Sequence, residues 1–215
     1  MRIFALLIFV LTSTLIFAQH GHRDSNRIGI SGGITSLDIH SDQFNAQPGM
    51  GYVLNLQLRG NYYNNWQMVY GMNFTDSKFS LQSVSGKDIE YKLSAVQVHL
   101  VGSYMVVENH LTLEIGPVLQ INSKLKINEA DELLLLKDSP ALTAKDITNI
   151  NQISGNIMAG VTAGVKRVRL NVNYQYGFTN IMNNLNKKDE LTLANGNQRF
   201  RGNIGMLSAM ITFYL

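Results

Sequence analysis

Between Val168 and Phe178 apolar and polar side chains alternate without interruption. Val168, Leu170, Val172, Tyr174, Tyr176 and Phe178 are separated by Arg169, Asn171, Asn173, Gln175 and Gly177. A repeat of two puts successive side chains on opposite sides of an extended backbone, so this stretch predicts a long β-strand with one apolar and one polar face. A helix would scatter the same residues around its circumference. Whatever the chain folds into must therefore give this strand an apolar medium on one side and a polar one on the other.

The pattern recurs along the chain. Residues 27–39 form a first predicted strand, with glycines that mark bends. The second, 49–60, sets Met50, Tyr52, Leu54, Leu56 and Leu58 against Val53, Asn55, Gln57 and Arg59. The third starts at Trp66 and alternates Trp66, Met68, Tyr70, Met72 and Phe74 with Gln67, Asn73 and Thr75. A fourth covers 89–106. Its apolar phase slips at Ala95-Val96, which predicts a β-bulge. Strand five (110–122) sets Leu111, Leu113, Ile115, Leu119 and Ile121 against Thr112, Glu114, Gln120 and Asn122. Strands at 153–165, from Val168 and at 202–215 complete a set of eight. Turns after strands two, four and six are short. The connections at 40–48, 77–88, 123–152 and 180–201 are longer.

An even number of roughly ten-residue alternating strands, with short turns at one end and long loops at the other, is the signature of an eight-stranded antiparallel up-and-down transmembrane β-barrel of the outer membrane. A secreted water-soluble barrel also alternates. Here the polar face is Asn, Gln, Arg, Thr and Ser rather than Lys and Glu. Aromatics also gather at the two strand ends: Tyr62, Tyr63, Trp66, Tyr104 and Phe213 near the short turns, and Tyr52, Phe74, Tyr91, Tyr176 and Phe178 near the long loops. Two aromatic belts mark two membrane interfaces.

Composition agrees. Only 15% of residues are charged, against about a quarter in soluble domains. The net charge of +3 is spread thinly, which speaks against nucleic acid as a partner. With no cysteine there is no disulfide framework, thiolate metal site or lipoprotein anchor. Residues 1–18 read as a secretory signal peptide: Arg2, an apolar run, and Ala18 before Gln19. Residues 19–215 then form one barrel domain, with both termini in the periplasm.

The inward face of such a barrel holds Asn55, Gln57, Arg59, Gln67, Asn73, His99, Glu114, Gln120, Arg169, Asn171, Asn173, Gln175 and Thr212. Eight strands leave an interior just wide enough to be filled by side chains. Glu114 is expected to pair with one or both of Arg59 and Arg169, with His99 on the neighbouring strand joining, because an uncompensated buried charge is costly. A filled polar plug is the primary reading; a proton relay or narrow solute pore is the alternative.

Other chemistry is sparse. His40-Ser41-Asp42 holds the residue types of a lipid-modifying hydrolase, but consecutive residues on an extended chain point apart. His20 and His22 fall short of the three or four fixed ligands a metal site needs. No cofactor is expected, and the chain is read as a non-enzymatic, monomeric barrel. The connection 123–152 departs most from a minimal barrel. It carries Glu129, Asp131 and Glu132, then Leu133, Leu134, Leu135 and Leu136. Ser139-Pro140 reads as an N-cap followed by proline at the first helical position. The leucines either fold over the barrel mouth or bind an envelope protein partner. Lipopolysaccharide and membrane lipid are the other expected partners.

The stretch 165–181 resembles the penultimate hairpin of the outer-membrane β-barrel family of Bacteroidota that includes PorT-like proteins, where a strand ending in a Tyr-x-Tyr-Gly pattern is typical. Residues 111–121, with Gly116-Pro117, are similar to that family's Gly-Pro strand, and residues 93–106 to the strand before it. The resemblance, to PorT-like and OmpA-like eight-stranded barrels, implies an outer-membrane barrel and, for the PorT-like members, an accessory of a secretion assembly.

Overall fold

Closing a sheet on itself lets every strand find two neighbours, and that is what the alternating segments do. The computed structural model describes residues 26–215; the predicted signal peptide and His20 and His22 lie outside them. Eight antiparallel strands form a closed ring in sequence order: β1 (Asn26–His40), β2 (Gln47–Tyr63), β3 (Trp66–Gln82), β4 (Asp88–Val107), β5 (Leu111–Asn122), β6 (Ile153–Gly164), β7 (Val168–Gly177) and β8 (Asn203–Tyr214). β1 closes the ring against β8, with Ser31 opposite Thr212 and Thr35 opposite Ser208. Closure leaves no sheet edge and pairs the backbone polar groups internally, which is what lipid demands of a spanning structure. No helix among the described residues is long and apolar enough to cross a membrane.

The short turns crowd one end of the ring, together with Asn26 and Leu215. Tight reversals there need left-handed backbone, which asparagine tolerates well: Asn64 (φ 48°) between β2 and β3, and Asn109 (φ 59°) between β4 and β5. At the other end stand the longer connections. One of these, 77–88, is shorter than the sequence pattern predicts, because β3 continues to Gln82 and β4 begins at Asp88. There the extra length is strand, not loop.

Outside, the apolar columns stand exposed: Ile30 and Ile34, Leu54, Leu56 and Leu58, Tyr70 and Phe74, Val98 and Leu100, Leu113, Ile115 and Leu119, then Leu170, Val172 and Tyr174. From Val168 to Phe178 the column runs about 33 Å along the strand, or about 25 Å along the membrane normal at a ~40° tilt, the height of a lipid-facing band. Trp66 and Tyr104 pack edge-to-face at 5.1 Å on the rim near the turns. Tyr52, Phe74, Tyr176 and Phe178 are exposed towards the other rim.

One predicted belt member, Tyr91, is fully buried. The reason also corrects the predicted bulge at Ala95-Val96. β4 pairs with β3 through that point without a register shift: Thr75 with Ala95, Phe74 with Val96, Asn73 with Gln97. The strand does not slip; the medium around it changes. Gln97, His99 and Ser103 face inward beneath Leu93, Tyr91 and Ile89, while Val96, Val98 and Leu100 give way outside to Ser94, Lys92 and Glu90. β1 switches between Thr35 and Leu37, and β3 between Ser77 and Phe79. Below the switch the barrel is apolar outside and polar inside. Above it the order inverts, as in a protein standing in water.

Candidate functional site

The lower interior holds two hydrogen-bonded polar clusters, with a small apolar group, Val69, Val101, Val118 and Met158, buried on the same inward face. Every inward residue read from the alternation is buried. The centre of the first cluster is Arg59 on β2, which forms an ion pair with Glu114 on β5. Arg59 also donates to Ser103 Oγ at 2.8 Å, to Gln67 Oε1 at 2.9 Å and to the Tyr214 hydroxyl at 2.9 Å. Glu114 accepts from Asn171 Nδ2 at 3.0 Å. Its charge is thus compensated and its lone pairs used, the condition under which a buried pair is tolerated.

Two expected members behave otherwise. Arg169 does not reach Glu114. It donates to the backbone carbonyls of Asn109 at 3.2 Å and Val165 at 3.4 Å, both at the short-turn end of the barrel, and its guanidinium lies 5.9 Å from the Tyr214 ring centroid. As the register partner of Gly164, on the last rung of β6 and β7, it sits beside the turn end of the barrel. His99 does not join either. It is opposite Val118 on β5, well along the strand from Glu114, which faces Ser103. Its ring fills the space left by Gly71, where a Cβ would come within 2.3 Å of Nε2.

A second set of bonds crosses the middle of the lumen. Gln97 on β4 donates to Gln120 Oε1 at 2.8 Å and lies 3.8 Å from Met206 Sδ on β8, diametrically across the ring. Its Oε1 accepts from Asn73 Nδ2 at 2.9 Å and from Gln175 Nε2 at 3.2 Å. Asn173 donates to Asn171 at 2.7 Å, and Asn156 to Gln120 at 2.8 Å. Contacts between opposite strands leave the lumen bridged at two levels.

Over these clusters sits an apolar cap core. Leu37 and Ile39 of β1, Phe79 and Leu81 of β3, Ile89, Tyr91 and Leu93 of β4 and Ile204 and Met206 of β8 meet residues from the loops. Phe79 stacks on Tyr91 at 5.2 Å and Phe44 on Phe200 at 6.1 Å. The Tyr91 hydroxyl, buried here, donates to the Ala144 carbonyl at 3.1 Å.

The connection 123–152 supplies much of the cap: Leu125, Leu136, Leu142, Ala144, Ile147 and Ile150 are all buried in it. The four-leucine run divides by parity. Leu136 is 1% exposed and Leu134 partly buried, whereas Leu133 is 82% and Leu135 44% exposed. Leu134 to Leu136 are extended, with bridges from Leu136 to Ser83 and from Leu135 to Thr143, while Leu133 lies in the turn closed by Leu134 N–H on the Asp131 carbonyl. The helical turn or two predicted in this connection do not start at Ser139-Pro140, where Ser139 begins a tight turn closed by Leu142 N–H at 2.9 Å. Short 3-10 turns occur at Glu129–Asp131 and Asp146–Thr148. Asp131 pairs with Lys87, and Glu132 with Lys145 at 2.6 Å, which holds the Lys145 ammonium above the usual lysine range. The 180–201 connection folds as a 3-10 segment (Ile181–Lys187) and a short α-helix (Asp189–Ala194). Asn180 anchors it, accepting from Met182 and Gly202 N–H at 3.0 and 2.9 Å.

Beyond the leucine run, most cap residues, like Tyr214 and Gln97, carry no motif that marks them in the sequence. Parity alone marks Tyr214 and Gln97 as inward, in step with Thr212 and His99. The cap residues carry a different signal: apolar side chains on the inward parity at the loop end of β1, β3 and β4. Near His40-Ser41-Asp42, His40 lies 3.4 Å from Asp38 and 3.3 Å from the Tyr174 hydroxyl, while Ser41 bonds Gln43. Ser41 and His40 are not brought into a nucleophile-base pair.

No protein-family model matches the chain, and no curated protein matches it. Among solved structures it is similar to Ail, the attachment invasion locus protein of Yersinia pestis, in complex with the heparin analogue sucrose octasulfate. The TM-score is 0.51 at 12% identity, over 89% of this chain and 99% of that one. It is also similar to the outer membrane protein OprG from Pseudomonas aeruginosa, with a TM-score of 0.47 and 10% identity, over 91% and 98% of the two chains. At such identity the likeness to Ail is one of fold: the chain is an eight-stranded antiparallel transmembrane β-barrel.

Proposed function

We propose that the protein is a non-conducting outer-membrane barrel that serves as a structural and interaction protein. Residues 1–18 direct its export, the short-turn end and both termini face the periplasm, and the capped end faces outward. The observation that carries this reading is the bridging of the lumen by Arg59–Glu114 and by Gln97, with an apolar core closing its outer mouth. Such an interior has no continuous path for a solute, and a rigid barrel of this kind offers its loops as its working surface. Single-channel recording of the purified barrel in a planar bilayer tests it. Silence is expected; a steady open state overturns the reading in favour of a small solute pore.

The partner surface within this reading is the outward half of the leucine run, Leu133 and Leu135, and the partner is an envelope protein with an apolar groove. The resemblance of residues 165–181 and of Gly116-Pro117 to PorT-like barrels favours an accessory role in an envelope or secretion assembly. Crosslinking in intact envelopes tests this, comparing wild type with Leu133→Ser/Leu135→Ser. This pair leaves Leu136, Leu142, Ile147 and Ile150 in the cap, which deleting the whole loop would not. Loss of a specific crosslinked species is expected; an unchanged pattern removes the leucines from the interface.

A further inference from the structure

The outer wall of the cap, just above the lipid-facing band, carries a row of lysines. Lys78 on β3 is the register partner of Lys92 on β4. Lys92 in turn forms a two-bond bridge with Lys126, N to O at 2.9 and 3.0 Å. Three cations thus stand side by side on adjacent extended segments, and exposed Lys124 follows two residues before Lys126. Directly opposed side chains in a sheet lie about 4.5–5.5 Å apart at Cβ, and like charges there repel.

Carboxylates offset part of this. Glu90 pairs with Lys78 and Asp76 with Lys92, each at 2.8 Å. Lys124 and Lys126 have no ion pair among the described residues. The wall therefore carries four lysines against two carboxylates, an arrangement that calls for an anion.

Its height names the source. The last rung of the apolar band here is Phe74–Val96–Ile121, with register partners across β3, β4 and β5. Lys78 and Lys92 lie four residues beyond it, about 13 Å along the strand and about 10 Å along the membrane normal at a ~40° tilt. The headgroup layer begins at the top of that band and is about 5–8 Å thick. The lysine backbones therefore stand at its outer edge, and their long flexible stems bring the ammonium groups within reach of headgroup phosphates. A lipid whose chains pack on Phe74, Val96 and Ile121 presents its headgroup to this row.

We infer that Lys78, Lys92, Lys124 and Lys126 form a binding site for the phosphate groups of an anionic lipid in the outer leaflet, with Lys124 and Lys126 supplying the uncompensated charge. The inference rests on the proposed orientation of the barrel, cap outward. The occupant is a membrane lipid rather than a free anion because the row is continuous with the lipid-facing surface.

The test titrates diphosphorylated lipid A into the folded full-length barrel in phosphatidylcholine bicelles. Parallel arms use dephosphorylated lipid A and inorganic phosphate. The chains compared are wild type, Lys124→Gln/Lys126→Gln and, as a control on the 180–201 connection, Lys187→Gln/Lys188→Gln. The expected result is a roughly tenfold or greater loss of apparent affinity in the Lys124/Lys126 variant, from about fivefold per basic residue, and none in the control. Equal affinity for wild type and variant, or for phosphorylated and dephosphorylated lipid, overturns the site. Competition by inorganic phosphate as strong as that by lipid A overturns the lipid assignment. Insertion into phosphatidylcholine alone is followed by gel mobility of the folded form: a barrel that inserts but ignores lipid A sinks the lysine site only, whereas one that does not insert sinks the membrane reading beneath it.

Discussion

Arg59 and Glu114 meet across the lumen from β2 and β5, three strands apart in the ring, and Tyr214 of β8 closes the group from the other side. One ion pair therefore ties together strands that share no backbone hydrogen bonds, and it does so where the barrel is polar inside and lipid-covered outside.

Removing one partner leaves the other charged and buried. Glu114→Ala is expected to destabilise the folded barrel by about 3–5 kcal/mol, read as the urea midpoint of the gel-mobility shift in detergent. Replacing both, Arg59→Met with Glu114→Leu, restores much of the loss. A double variant no better than the single ones would show that Arg59's bonds to Gln67, Ser103 and Tyr214 matter more than the pair.

The leucine run separates by parity. Leu136→Ala removes a buried side chain from the cap and should cost about 2–5 kcal/mol. Leu133→Ala, at an exposed position, should stay within about 0.5 kcal/mol of wild type. Comparable losses at both positions, measured by thermal unfolding, would contradict the burial of Leu136 in the cap and the exposure of Leu133.

Gly71 and His99 fit as a pair. A Cβ at position 71 would come within 2.3 Å of the His99 ring, so Gly71→Ala should cost about 1–3 kcal/mol as an overpacked interior does. Gly71→Ala with His99→Ala should recover part of it. Failure of the second change to help would place the strain in the backbone near the Leu56 carbonyl instead, which lies 3.1 Å away.

Orientation is testable on whole cells. An epitope inserted after Leu193, an exposed residue of the cap, should bind antibody on intact cells. The same epitope between Lys166 and Arg167, in the β6–β7 turn, should bind only after the outer membrane is permeabilised. The opposite labelling pattern would invert the proposed topology.

Alternation along single segments was enough to identify eight strands, their order, the lipid-facing columns and thirteen members of the lower polar interior, because the period of two is a local property that pleat geometry imposes on each strand. Gln97, Ser103 and Tyr214 share the same parity but carry no charge or motif to mark them. Arg59 and Glu114 were legible as partners because they are opposite charges of the same inward parity. What parity cannot show is height. Arg169, His99 and Glu114 all face inward, yet register sets them at different levels, so only Arg59 meets the carboxylate. Height also explains the phase change at Ala95-Val96: a one-dimensional pattern cannot distinguish a strand that slips from a strand that leaves the lipid. Only the closed ring, with loops 123–152 and 180–201 folded into its mouth, made the inside of β1, β3 and β4 apolar above the membrane and turned Tyr91 from an expected belt residue into part of the core.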